Sequence, residues 1–159
     1  ETNAIREAAL LHDIGKIGIP DAILTKPGEL TATELHTIRQ HPAMGAGIIE
    51  SIPLLGHLAP AVRHHHERFD GGGYPAGLRG RDIPLAARVI AVADALDALG
   101  SDRSYRRSMP LDAAVKEIVK DSGKQFDPGI VGVLADKFIL TTMENTSADK
   151  PSTNNEGRR

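Results

Sequence analysis

Cysteine is absent from the 159 residues, which excludes disulfides and thiolate metal ligands and agrees with a reducing compartment. Tryptophan is absent too, and aromatic residues make up only 3% of the chain, so the core has to be aliphatic and alanine-rich, a composition that favours helices. No apolar run reaches the length of a membrane span, and the first residues lack the pattern of a signal peptide. A surplus of one charge sign is also missing. The formal net charge of -2 offers no footprint for a nucleic-acid polymer or an anionic membrane surface. Neither an initiating methionine nor a helix cap precedes Glu1, which opens directly into a helical pattern, so the chain reads as a fragment of something longer. The length suits one domain with a real core and leaves little room for a second.

What the chain does have is histidine, concentrated in His64-His65-His66-Glu67-Arg68-Phe69-Asp70-Gly71-Gly72-Gly73-Tyr74-Pro75. An amphipathic helix buries one stripe, so consecutive imidazoles face several directions and are poorly explained by packing. Imidazoles ligate transition metals and act as general acids and bases. The glycines that follow suit a tight turn or close approach to a ligand, and Tyr74-Pro75 ends the loop. An exposed polar helix end is the competing explanation, and the remaining chain decides between them.

Ala4, Ala8, Leu11 and Ile14 recur at helical spacing and predict a first helix from about Asn3 to Lys16, with His12, Asp13 and Lys16 at its end. An adjacent His-Asp pair can give a nitrogen and a bridging carboxylate to a metal site, with Lys16 close enough to act on a substrate. Ile17 to Leu30 reads as an irregular connection. Thr31-x-x-Glu34 is a capping-box signature, with Leu35 and Ile38 as the buried face of the helix it opens. His41-Pro42 interrupts that helix and aims His41 from a junction, while His36 and His57 read as ordinary surface histidines. A short helix runs on to about Ser51, and another from Leu54 to Glu67, irregular near Pro60, delivers the histidine run.

Leu78 to Asp82 reads as turn, and Leu85 to Leu99 as a central helix, nearly apolar all round but for Asp94 and Asp97. Buried acids need a metal, a cation or several donors, because an isolated buried charge is costly. The loop Ser101-Asp102-Arg103-Ser104-Tyr105-Arg106-Arg107-Ser108 is cationic in a near-neutral protein, and guanidinium groups bind phosphates bidentately. Helices from Leu111 to Asp121 and from Asp127-Pro128 to about Phe138 follow, and the residues from 140 on read as a disordered tail behind a domain of residues 1–139.

The candidate ligands are therefore His12, Asp13, His41, His65, His66 and Asp94. One tetrahedral ion would leave several unused, whereas two ions sharing a bridging carboxylate would use the set. Mixed nitrogen and oxygen ligation without sulfur suits iron, manganese or zinc. Two such ions can clamp a phosphate and stabilise both the attacking and the leaving oxygen. Metal-assisted phosphoester hydrolysis is the chemistry that these residues reach.

His12-Asp13-Ile14-Gly15-Lys16, His41-Pro42 and the His65-to-Pro75 stretch together resemble the HD-GYP branch of the HD phosphohydrolases. Ala91 to Leu99, Ser101 to Arg106 and Gly123-Lys124-Gln125-Phe126-Asp127-Pro128 are similar to that family's later blocks, in the same order. The resemblance spans roughly Ala8 to Phe138. Phe69, Gly100 and Ser104 replace a frequent Trp, Thr and Pro, and none of them is a candidate ligand.

The resemblance implies an all-α, compact multi-helix bundle of the HD-domain type that hydrolyses the bacterial second messenger cyclic di-GMP to pGpG, GMP or both, in the cytoplasm. It implies two divalent ions, iron or manganese, held by the six residues above, with Asp13 bridging. Lys16 would contact the phosphate and help protonate the leaving group. Gly73, Tyr74, Pro75, Asp97, Arg103 and Arg106 would shape or hold the substrate. An upstream sensory or receiver domain and GGDEF-type or other signalling proteins are the partners it implies. The alternatives are a non-catalytic module that binds cyclic di-GMP or protein, and an HD hydrolase for another nucleotide.

Overall fold

Thr31 illustrates how local sequence sets local structure: its side chain accepts from the Glu34 N–H, and the Glu34 carboxylate accepts in return from the Thr31 N–H at 2.7 Å. This satisfies donors that a helix N-terminus otherwise leaves orphaned. The computed structural model describes residues 2–102 and 108–148, with side chains to residue 140. The helices are α1 (Thr2–Leu11), α2 (Asp21–Leu24), α3 (Ala32–Ile38), α4 (His41–Glu50), α5 (Ala59–His64), α6 (Leu85–Gly100), α7 (Leu111–Lys120) and α8 (Pro128–Ala148). Short 3-10 turns cover Ile14–Gly18, Gly56–Leu58 and Gly80–Asp82, and no strand is present among the described residues. The all-α bundle expected from the sequence is therefore the fold observed.

α6 is the central helix, packing against α1, α5, α7 and α8. Its two apolar faces serve two cores. Ile90 joins Ala8, Ile49, Leu58 and Val62 on one side, while Val92 joins Ile118, Phe126 and Val131 on the other. Each large aliphatic side chain buried this way contributes about 1.5–3 kcal/mol.

Several boundaries differ from expectation. α1 stops at Leu11, not near Lys16, and the chain tightens into a 3-10 turn in which the Lys16 N–H donates to the Asp13 carbonyl at 2.9 Å. The cause is the contact that this turn makes with α4. Gly15 lies so close to the first turn of α4 that a Cβ there would stand 2.0 Å from the His41 carbonyl oxygen. Gly45 meets it from the other side, where a Cβ would stand 3.1 Å from the Gly15 nitrogen. The Leu54-to-Glu67 segment is shortened to α5, because Pro60 starts a helix more readily than it continues one. Leu35, expected on a buried face, is 39% exposed. α8 continues through Ala148, well beyond Phe138, since no glycine or proline interrupts residues 133–148. Residues 149–159 of the expected tail lie outside the described residues.

Candidate metal centre

His12, His41 and His65 all sit at helix ends, and all three are oriented in the same way. His12 follows α1, His41 stands just past α3 as the first residue of α4, and His65 follows α5. Each Nδ1 faces the carbonyl three residues back: Ala9 at 2.7 Å, Ile38 at 2.7 Å and Val62 at 2.6 Å. The last carbonyls of a helix lack intrahelical donors, so these imidazoles complete the helix ends. A carbonyl only accepts, so Nδ1 carries the hydrogen and Nε2 is left with its lone pair.

Those lone pairs converge. His41 Nε2 is 3.3 Å from His65 Nε2 and 3.2 Å from Asp13 Oδ1. His12 Nε2 is 3.4 Å from Asp13 Oδ2 and 3.8 Å from Asp94 Oδ1. Asp13 Oδ1 is buried with no hydrogen-bond donor. Acceptors that face acceptors at this range repel one another, and a cation between them would relieve the repulsion. Asp13, His41, His65 and His66 each offer one ligand atom, and the four atoms lie within 4.8 Å of one another. The donor set contains nitrogen and oxygen without sulfur, and these residues fit a hard or borderline divalent ion.

Electrostatics favour ligation. Burial is the main cause that pulls the His65 and His66 imidazoles down, to about 4 and about 3, so both are neutral ligands at physiological pH. Burial pushes the Asp13 carboxyl up, but the hydrogen bond and positive charge of Lys16 oppose it and the group lies well below the usual carboxylate range. Lys16 Nζ donates to Asp13 Oδ2 at 2.5 Å.

All six expected ligands are thus gathered in one place, yet the two acids of α6 are not buried as the sequence suggested. The Asp94 side chain is 36% exposed, where α6 borders a cleft, and Asp97 is exposed. Tyr74 stacks on the His66 ring, with centroids 5.0 Å apart and planes at 29°, and the Arg39 guanidinium lies 5.4 Å from the Tyr74 centroid. Burial pushes the Tyr74 hydroxyl up to about 12, so it stays protonated as a donor. Gly73 lies against the Glu67–Arg68 backbone, where a Cβ would be 2.3 Å from the Arg68 nitrogen, whereas Pro75 is exposed. Arg103 and Arg106 lie outside the described residues.

Glu67, which has no role among the expected site residues, organises this loop. Its carboxylate is buried and accepts from the Ala76 N–H at 2.7 Å and the Leu78 N–H at 3.1 Å, and it lies 3.4 Å from His64 Nδ1. The closing motif braces the same loop, since the Phe69 and Asp70 N–H groups donate to the Gln125 and Lys124 carbonyls at 3.1 and 2.7 Å. Gly15, Glu67 and Gln125 all stand within the motifs, but only the folded contacts distinguish them from their neighbours. Glu67→Gln replaces one accepting oxygen with a donor and strands a loop N–H, so denaturant unfolding should show a loss of about 1–3 kcal/mol. Unchanged stability would remove Glu67 as the anchor.

A family model described as HD domain matches residues 1–130. The chain belongs to the HD domain family. Among HD-domain relatives, the cyclic di-GMP phosphodiesterase of Thermotoga maritima is 43% identical over 157 residues, which is 97% of this chain and 43% of the relative. The cyclic di-GMP phosphodiesterase response regulator RpfG of Xanthomonas campestris is 46% identical over 138 residues, covering 84% of this chain and 36% of that one. The 3'3'-cGAMP-specific phosphodiesterase 3 of Vibrio cholerae is 39% identical over 150 residues, covering 92% and 33%. A crystal structure of the cyclic GMP-AMP-specific phosphodiesterase V-cGAP3 from V. cholerae superposes with a TM-score of 0.62 at 19% identity, over 94% of this chain and 40% of that one. This likeness shows the shared HD fold. The chain spans less than half the length of each of these relatives.

Proposed function

We propose that this HD domain is the catalytic unit of a metal-dependent phosphodiesterase that hydrolyses cyclic di-GMP, giving pGpG, GMP or both. The observation that carries the reading is the opposition of lone pairs in the centre, where His41 Nε2 and His65 Nε2 stand 3.3 Å apart with both Nδ1 atoms committed to carbonyls. His12, Asp13, His41, His65, His66 and Asp94 would hold a pair of divalent ions, iron or manganese, with Asp13 between them. Such a pair supplies a nucleophile from water at neutral pH and neutralises the charge of the phosphodiester.

The chain's own groups do the rest. Hydrolysis adds water across a P–O bond, and the departing ribose oxygen takes up a proton. Lys16, held 2.5 Å from Asp13, would meet that oxygen and supply the proton. Tyr74, backed by His66, closes one side against water, with Gly73 and Pro75 shaping the loop around it. Asp97, Arg103 and Arg106 would hold the remaining phosphate and sugar edges of the substrate.

Lys16→Ala should retain the metal and slow hydrolysis about a hundredfold, the lower end of what a positioned proton donor contributes. Unchanged turnover would take Lys16 out of the mechanism. The reading as a whole is tested by anaerobic loading with iron or manganese, metal analysis, and chromatography of the products from cyclic di-GMP. Bound metal with pGpG or GMP formed supports it, and a folded protein that binds no metal refutes the site.

A second reading, hydrolysis of 3'3'-cGAMP, is favoured by the relatives that carry that name, such as one 40% identical over 144 residues. Parallel assays on the two substrates separate the readings. The proposal extends to the whole protein, in which a sensory or receiver domain would control this unit and GGDEF-type proteins would supply its substrate. No helix among the described residues is long and apolar enough to cross a membrane. A cytoplasmic location follows from the substrate.

A further inference from the structure

A cleft of about 570 Å³ opens between α6 and α7 beside the metal centre, with His65, His66 and Asp94 at one end. One wall is made by Ala91, Ala95 and Ala98, whose short side chains leave a flat space along α6. The buried Ile118 and Phe126 face it. This leaves a slot of ordinary ligand-site volume, with apolar walls and polar groups at its edges, that runs away from the histidine cluster.

Its polar groups are Glu117, Asp121 and Gln125. Glu117 and Asp121 are four residues apart at the end of α7 and share a face. Lys120 pairs with Glu117 at 2.5 Å on the solvent side. The Asp121 carbonyl accepts from the N–H groups of Lys124, Gln125 and Phe126, so the turn that carries these side chains is closed on itself. The orientation of the Gln125 amide follows from its partner. Arg68 can only donate, and its Nη1 lies 3.1 Å from Gln125 Oε1, so Gln125 turns its oxygen to Arg68 and keeps Nε2 as a donor.

An apolar slot lined by two carboxylates and one amide donor has the complement of a single base edge. Guanine presents N1–H and N2–H donors next to the O6 acceptor, whereas adenine presents an acceptor at N1 and a donor at N6. Enzymes that read isolated bases use such edge hydrogen bonds between apolar and aromatic walls. We propose that this cleft is a guanine-reading pocket, in which Asp121, with Glu117, accepts from N1–H and N2–H and Gln125 donates to O6. Adenine would set its N1 lone pair against a carboxylate and its amino group against a donor. A site built on polar contacts rejects the base that cannot make them. The inference rests on the cyclic-dinucleotide reading for its choice of a purine ligand, and it deepens that reading by naming the residues that set base preference.

Calorimetric titration of the metal-loaded protein with 5'-GMP and with 5'-AMP tests the pocket directly. GMP should bind at least about tenfold more tightly than AMP, and Asp121→Asn should remove most of that preference while leaving AMP within about twofold. Gln125→Glu, which keeps an oxygen for Arg68 and turns an acceptor to the slot, should shift the preference towards AMP. Equal affinities in the parent, no binding of either nucleotide, or equal losses for both in Asp121→Asn would overturn the pocket. Hydrolysis of cyclic di-GMP is followed on the same samples. Intact hydrolysis without base preference overturns the pocket alone, and base preference without hydrolysis supports the pocket while refuting the phosphodiesterase.

Discussion

Asp13→Ala should purify with metal at background level and hydrolyse cyclic di-GMP at least about a thousandfold more slowly than the parent, as removal of a central catalytic group commonly does. The two effects should appear together, because the carboxylate stands between the imidazoles and Lys16 and touches both sides. The metal-free variant should nevertheless fold. Asp13 belongs to neither apolar core, and without it His41 Nε2 no longer faces a buried, donor-less oxygen at 3.2 Å. Thermal unfolding with and without added metal makes the comparison. The parent should gain stability from metal by mass action and Asp13→Ala should gain none. A variant that keeps its metal, or keeps its turnover, would disprove the placement of Asp13.

Gly15→Ala should be severely damaging for a single added methyl group. Its Cβ would meet the His41 carbonyl oxygen at 2.0 Å and the Gly45 nitrogen at 2.4 Å, both of them backbone atoms that cannot swing aside. Separation of the turn from α4 is the only relief, and that pulls Asp13 away from His41. The expected loss is about 4 kcal/mol or more, in the range reserved for severe backbone or core conflicts. Denaturant unfolding gives the stability, and metal content gives the damage to the site. Gly47→Ala, a glycine of α4 whose added Cβ meets nothing within 4 Å, is the control and should be close to neutral or mildly stabilising.

The helices were legible in the sequence wherever a local signal marked their ends. Thr31 with Glu34 and Pro128 placed helix starts correctly, and the apolar run from Leu85 marked the central helix to within one residue. The end of α1 went astray because a distant contact sets it. Leu11 ends α1 because Gly15 must reach α4, a constraint that spacing within α1 does not contain. The site showed the same division. The residue types that gather at the centre were readable from their motifs, whereas the exposure of Asp97 was not, because apolar neighbours along a helix do not reveal which face is left uncovered by other helices. The anchoring role of Glu67 depends on N–H groups nine and eleven residues later, and no periodicity carries that information.

The three imidazoles that brace helix-end carbonyls have a consequence for metal exchange. Because His12, His41 and His65 are each tethered through Nδ1 to their own backbone, their outward nitrogens hold position whether or not an ion is present. A socket of this kind is built by folding and not by filling. Donors fixed in this way would choose among first-row ions by size and preferred geometry, since they cannot rearrange around a poorly fitting one. An ion could then leave and be replaced without rebuilding the three helix ends that aim these nitrogens.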